Sequence, residues 1–133
     1  MHVNGSCHCG RIRYEADVDP ALVSACHCTD CQVLSGSAYR VSVRAPAATF
    51  KLTSGTPKTY VKTADSGNRR VHAFCADCGA PVYACALADP PFYSLRVGGL
   101  QQRAQLPPRQ QIWCRSAVPW SANLGVVAQQ ERQ

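Results

Sequence analysis

Hydrophobic and polar positions along this chain mostly alternate with a period of two. In residues 11–18, Ile12, Tyr14, Ala16 and Val18 fall on one side and Arg11, Arg13, Glu15 and Asp17 on the other, as in a strand with one buried face. Residues 39–44 repeat the pattern, with Tyr39, Val41 and Val43 set against Arg40, Ser42 and Arg44, up to Pro46. Shorter runs predict strands at 23–25, 49–52, 82–87, 92–97 and 111–114. Residues 58–63 and 69–74 flank Asp65-Ser66-Gly67-Asn68 and read as a hairpin.

Helical periodicity is nearly absent. One short helix is expected from an N-cap at Thr29 through Leu34, stopped by Ser35-Gly36-Ser37. The polar end, residues 129–133, is expected to fray. Short strands between turn clusters predict an all-β class of mainly antiparallel sheets, in a single domain spanning 1–133 with a core over about 3–120.

Composition changes the picture through cysteine. There are nine, and seven fall into three tight groups: Cys7-His8-Cys9-Gly10, Cys26-His27-Cys28-Thr29-Asp30-Cys31 and Cys75-Ala76-Asp77-Cys78-Gly79. An odd count, close pairing and a start without an apolar leader point away from disulfides and toward metal in a soluble, cytoplasmic protein. No apolar run approaches the roughly 20 residues of a membrane span.

The formal charge of +6 falls to +3 once seven thiolate charges and two divalent zinc ions are counted. The basic residues are scattered, with only Arg69-Arg70 adjacent. That argues against nucleic acid as a partner and leaves small anions as suitable ones.

Spacing divides the thiols. The first and last groups each end in glycine, which supplies the backbone freedom a metal knuckle needs; the central group does not. Cys7, Cys9, Cys75 and Cys78 therefore form a closed four-thiolate structural zinc site. Cys26, Cys28 and Cys31 hold a second zinc with one position open, the usual form of a catalytic zinc. The alternatives are an iron–sulfur cluster and two purely structural sites, the second closed by His27 or another side chain. His8 and His27 lie between ligands and are expected to point away, toward solvent or as outer partners. Cys85 and Cys114 read as small core residues, His72 as surface, and Trp113 and Trp120 as core or pocket wall. Arg40, Arg44 and Arg115 are candidates to meet a substrate carboxylate.

The three cysteine groups resemble the glutathione-dependent formaldehyde-activating enzyme (CENP-V/GFA) family, as do Gly5-Ser6, Tyr14, Gln32, Gly36-Ser37, Phe74, Gly99-Leu100, Ile112-Trp113 and Pro119-Trp120. The resemblance implies a β-tent zinc fold, the same division of the cysteines between a structural and a catalytic zinc, and carbon–sulfur lyase chemistry joining glutathione to formaldehyde as S-hydroxymethylglutathione. Gln101-Gln102 stand where many relatives are acidic, and Gln111 where many carry histidine. The expected function is thus a zinc-dependent carbon–sulfur lyase acting on a small thiol, such as glutathione, and an aldehyde. The rival readings are a zinc-stabilised module binding nucleic acid or protein, and a thiol-based metal or redox sensor.

Overall fold

The computed structural model describes residues 1–64 and 66–132. Asp65, assigned above to a hairpin turn, and Gln133, assigned to the fraying tail, lie outside them. The chain is mostly strand, as predicted, with one α-helix of seven residues.

Three strands form a small antiparallel sheet: β1 (His2–Ser6), β2 (Arg13–Asp17) and β5 (Lys51–Ser54), in the order β1-β2-β5. Seven form a larger sheet: β3 (Ser24–Cys26), β4 (Arg40–Pro46), β6 (Lys58–Thr63), β7 (Arg69–Phe74), β8 (Pro81–Ala86), β9 (Phe92–Arg96) and β10 (Gln110–Ile112), in the order β10-β3-β4-β9-β8-β7-β6. All neighbours are antiparallel except β10, which joins β3 in parallel. The helix α1 (Thr29–Ser35) follows β3 directly.

The alternation seen in the sequence makes the core. Val3, Tyr14 and Ala16 from the small sheet and Val43, Ala45 and Leu95 from the large one are all buried in one cluster. Phe50 bridges the sheets, stacked on Tyr93 at 4.3 Å between centroids and tilted against Tyr14 at 5.9 Å.

The pattern did not predict β1, because His2-Val3-Asn4-Gly5-Ser6 carries one large apolar residue. Gly5 explains the strand's place. A Cβ there would lie 2.2 Å from the Tyr14 ring, so only glycine lets that ring lie across β1.

Two local expectations are corrected. Thr29 does not cap α1; Cys28 does, its sulfur accepting a hydrogen bond from the Cys31 N–H at 3.3 Å. The last strand ends at Ile112. Trp113 takes a left-handed backbone, φ +58°, and turns the chain into a 3-10 segment, Cys114–Ser116.

The other face of the large sheet differs in character. Side chains alternate across a strand, so Arg40, Ser42 and Arg44 point opposite to Val41, Val43 and Ala45. The ladder Ser42↔Arg96, Ser94↔Ala84, Ala84↔His72 and His72↔Tyr60 carries this polar face across five strands. The helix α1 is tied to it by an ion pair between Asp30 and Lys62 of β6.

Candidate metal centres and an adjoining basic cavity

Each end of the first cysteine cluster is a turn closed by backbone hydrogen bonds. After β1, Gly10 N donates to Cys7 O at 3.1 Å, and Ile12 N donates to the Cys7 sulfur at 3.2 Å. After β7, Gly79 N donates to Cys75 O at 2.9 Å and Cys75 N to Ala80 O at 2.9 Å. Gly10 and Gly79 both adopt positive φ, +77° and +72°, which returns the chain after the second sulfur of each pair.

The sulfurs of Cys7, Cys9, Cys75 and Cys78 all lie within 4.8 Å of one another. Cys7 and Cys9 are 3.5 Å apart, and Cys9 and Cys75 are 3.8 Å apart. Four sulfurs at the usual zinc–sulfur distance of about 2.3 Å sit roughly 3.8 Å apart, so this donor set fits a tetrahedral zinc. Cys7 and Cys75 are buried in the core.

Without a cation the four thiols oppose one another's ionisation. The Cys9 and Ala80 N–H groups draw Cys78 down to about 6. Cys9 goes up to about 12: the Arg11 N–H favours its ionisation, but the neighbouring thiols, Cys7 above all, outweigh that. All four become thiolates together only around a positive charge.

The second cluster is built differently. Cys26 ends β3, Cys28 caps α1 and Cys31 occupies its first turn. Their sulfurs also converge within 4.8 Å, and all three are half-buried. Burial works against the ionisation of Cys28, but the Cys31 N–H and the neighbouring thiols pull it below the ordinary cysteine range. Burial and Cys28 push Cys31 up to about 12. This set of three sulfurs can likewise hold a soft metal ion.

His27 lies between two of these thiols and is not exposed. Its backbone N–H donates to Ile112 O, Nε2 lies 2.8 Å from Gln111 Oε1, and the ring packs on Tyr39. It therefore points away from the three sulfurs. Gln32 fixes the loop, its side-chain amide donating to His27 O at 2.7 Å and Ser116 O at 2.9 Å. His8 is exposed, Cys85 is buried on β8, and Cys114 is exposed on the 3-10 segment rather than in the core.

Two cavities lie beside this cluster and share Tyr60. One, of about 610 Å³, is lined by Cys28, Asp30, Lys62, Trp113 and Arg115 among others. Trp113, expected as core or wall, is half-exposed and takes the wall role; the Arg115 guanidinium sits 5.0 Å over its ring. Trp120 is exposed.

The other cavity, of about 330 Å³, is lined by Leu34, Arg40, Tyr60, His72 and Arg96 with the turn at Gly79 and Pro81. His72 is not a surface residue: burial and the adjacent Arg96 hold its ring down to about 4. Arg40 and Arg96 are buried, at 6% and 8% exposure. Burial lowers Arg40, while Cys31, Cys28 and Cys26 pull it back up. Burial and Arg40 push Arg96 down to about 9.

The sequence singled out Arg40 but missed Arg96, His72, Tyr60 and Lys62. They lie on β6, β7 and β9, and only the register sets them on one face.

Among the described residues, no helix is long and apolar enough to cross a membrane. Residues 2–116 match the profile of the family described as "Glutathione-dependent formaldehyde-activating enzyme". A Rhodobacter sphaeroides protein of known crystal structure is similar at 20% identity with a TM-score of 0.63, over 81% of this chain and 98% of that one. At that identity the likeness speaks for the fold. With its two converging cysteine clusters and a profile match over most of its length, the chain belongs to the glutathione-dependent formaldehyde-activating enzyme family.

Proposed function

We propose that the chain is a carbon–sulfur lyase-type enzyme that joins a small thiol to an aldehyde, or reverses that addition, at a zinc held by Cys26, Cys28 and Cys31. A second zinc on Cys7, Cys9, Cys75 and Cys78 is structural. The observation that carries this reading is the convergence of three sulfurs, with no fourth side-chain ligand among the described residues, beside two cavities. Glutathione and formaldehyde are the substrates the family suggests.

Cys26, Cys28 and Cys31 would hold the zinc, which would supply stabilisation of a substrate thiolate rather than ionised water, since three protein thiolates would leave a net charge of about −1. In the addition, the substrate sulfur forms a bond to the aldehyde carbon. The carbonyl π pair moves to oxygen, which takes one proton. Thiol and aldehyde together equal the hydroxymethyl thioether, with no redox change, and the reverse breaks the carbon–sulfur bond.

The chain's own residues set the geometry. The Cys31 N–H fixes Cys28, Gln32 holds the loop to Ser116, and Leu34 and Tyr60 line the wall of one adjoining cavity.

The test is to mix zinc-loaded protein with glutathione and formaldehyde and follow the adduct by NMR exchange spectroscopy. Exchange should exceed that in buffer and vanish in Cys31→Ser. Exchange equal to buffer, across glutathione and simpler thiols, would sink the enzyme reading.

A further inference from the structure

The 330 Å³ cavity contains more buried positive charge than the metal cluster explains. Arg40 and Arg96 are each more than nine-tenths buried. Neither makes a salt bridge among the described residues, and no acidic side chain lines the cavity. Asp30, the acid on α1, is engaged by Lys62. Removing a guanidinium from water without a paired anion is costly, so such an arrangement calls for a counter-charge.

One of the two charges has a counter-charge nearby. Arg40 is the register partner of Cys26 across the β3–β4 ladder, where opposed Cβ atoms lie about 5 Å apart. A zinc with three thiolates carries about −1, which balances one guanidinium. Arg96 is then left over. Its Nη1 donates to Ser42 Oγ at 2.9 Å and its Nη2 lies 3.3 Å from His72 Nδ1, while Nε, also buried, has no partner. Those two contacts fix the plane of the guanidinium without neutralising it.

We propose that this cavity is the specificity pocket for a carboxylate on the thiol substrate, with Arg96 as its primary contact and Arg40 between that carboxylate and the sulfur site. The inference rests on the proposed thiol chemistry and names its substrate class: small thiols bearing a carboxylate.

Three features favour a carboxylate over a larger or more highly charged anion. The unmatched charge is a single one. His72, held neutral at physiological pH, adds none. The guanidinium is planar and oriented, which suits the two oxygens of a carboxylate. Position links the pocket to the sulfurs: Cys31 and Leu34 are three residues apart on α1 and so share a face, and Leu34 lines the cavity. A thiol bound at the cluster therefore has the pocket at its side.

The test separates this pocket from the lyase reading by using a ligand with no sulfur. Propionate and its uncharged isostere propionamide are titrated into zinc-loaded protein, and the Arg Nε–H and His72 ring signals are followed by NMR. Propionate should shift them saturably, and propionamide should not. Arg96→Gln should weaken propionate binding about tenfold or more.

Ser42→Ala keeps the charge and frees its orientation, so it should weaken binding by a smaller factor; it also serves if Arg96→Gln does not fold. In adduct formation with formaldehyde, 3-mercaptopropionate should be preferred over 3-mercaptopropionamide, and Arg96→Gln should erase that preference. A purely structural Arg96 would lower the melting temperature and leave the acid-to-amide ratio unchanged.

Equal shifts with propionate and propionamide, or tighter binding of inorganic phosphate than of propionate, would overturn the proposal. Selective propionate binding with no acceleration of any thiol–aldehyde adduct would leave the pocket standing and remove the lyase reading. Acceleration equal for acid and amide thiols would do the reverse.

Discussion

The two cysteine clusters use the same ligand atom in opposite settings. Cys7 and Cys75 are buried in the core, each in a backbone turn followed by a glycine at positive φ, and their cluster joins the start of the chain to the end of β7. Cys26, Cys28 and Cys31 are all half-buried, stand on the outer face of the large sheet and have Arg40, Arg96 and Lys62 within electrostatic reach. The first cluster brings four sulfurs together, and two of them, on Cys7 and Cys75, belong to the apolar core. The second has three sulfurs and adjoins cavities. A closed coordination shell suits holding two distant parts of the chain together, and an open one beside charged walls suits binding something that comes and goes.

The largest effect that would break this comparison comes from exchanging which cluster is damaged. Cys75→Ser should cost the fold, since a structural zinc contributes on the order of 10 kcal/mol in small domains. The expected readout is loss of a cooperative thermal transition together with loss of bound zinc. Cys31→Ser should instead keep a cooperative transition, lose one zinc of two and abolish thiol–aldehyde exchange. If both variants unfold alike, or Cys75→Ser melts normally, the division into clamp and site fails.

Chelation sharpens the same contrast in time. Zinc held by three protein ligands beside open cavities should leave a chelator-treated protein well before zinc enclosed by four. Two kinetic phases are expected in a colorimetric zinc-release assay, with activity lost in the fast one and far-UV circular dichroism changing only in the slow one. A single phase carrying both losses would contradict it.

The sequence carried much of this contrast. The alternation at 11–18 and 39–44 marked β2 and β4, and the hairpin strands at 58–63 and 69–74 have the predicted bounds. The glycines after Cys9 and Cys78 separated the two clusters because a returning turn is a local property that a residue type can announce. What was not legible depends on pairing. Arg96 and His72 look like ordinary strand polar residues until Ser42↔Arg96 and His72↔Ala84 put them on one face. His27 reads as facing solvent or as an outer partner of the ligands, and the structure takes the second: it is buried, and Gln111 of β10 bonds it, a contact spanning 84 residues. The strand β1 was hidden because it carries one large apolar residue and lies under the Tyr14 ring at Gly5, a close approach that alternation does not announce.

A matched pair of glycine variants probes the two settings at smaller energy. Gly79 and Gly36 have φ +72° and +64°, and a Cβ at either would meet nothing within 4 Å. The cost in each case is therefore the left-handed backbone alone, about 1–2 kcal/mol. Gly79 closes the Cys75–Cys78 turn, so Gly79→Ala should speed the slow zinc-release phase. Gly36 ends α1, its N–H donating to Gln32 O at 2.9 Å, so Gly36→Ala should speed the fast phase. Similar losses in melting temperature, with each variant speeding a different phase, are the expected outcome; the same phase changing in both would contradict the comparison.

The smallest effect concerns acid. His72 stands beside the open cluster's cavity, whereas among the described residues the closed cluster has only the exposed His8, between its ligands. Burial and Arg96 hold His72 down to about 4 in the folded protein, against an ordinary value near 6.5. Between these values the unfolded chain binds a proton that the folded one refuses, so stability falls as the pH drops through that window and levels off below it. The full shift corresponds to roughly 3 kcal/mol, and partial exposure of the ring to solvent reduces it to about 1 kcal/mol. Acid also releases zinc, but from both proteins alike, so the informative quantity is the difference between wild type and His72→Gln. That variant keeps an acceptor for the Arg96 guanidinium and removes the titration. Its stability relative to wild type should rise by about 1 kcal/mol between pH 7 and pH 4.5 in urea titrations. A difference that stays constant with pH would mean that His72 ionises freely, and that the two arginines do not set the potential of the cavity.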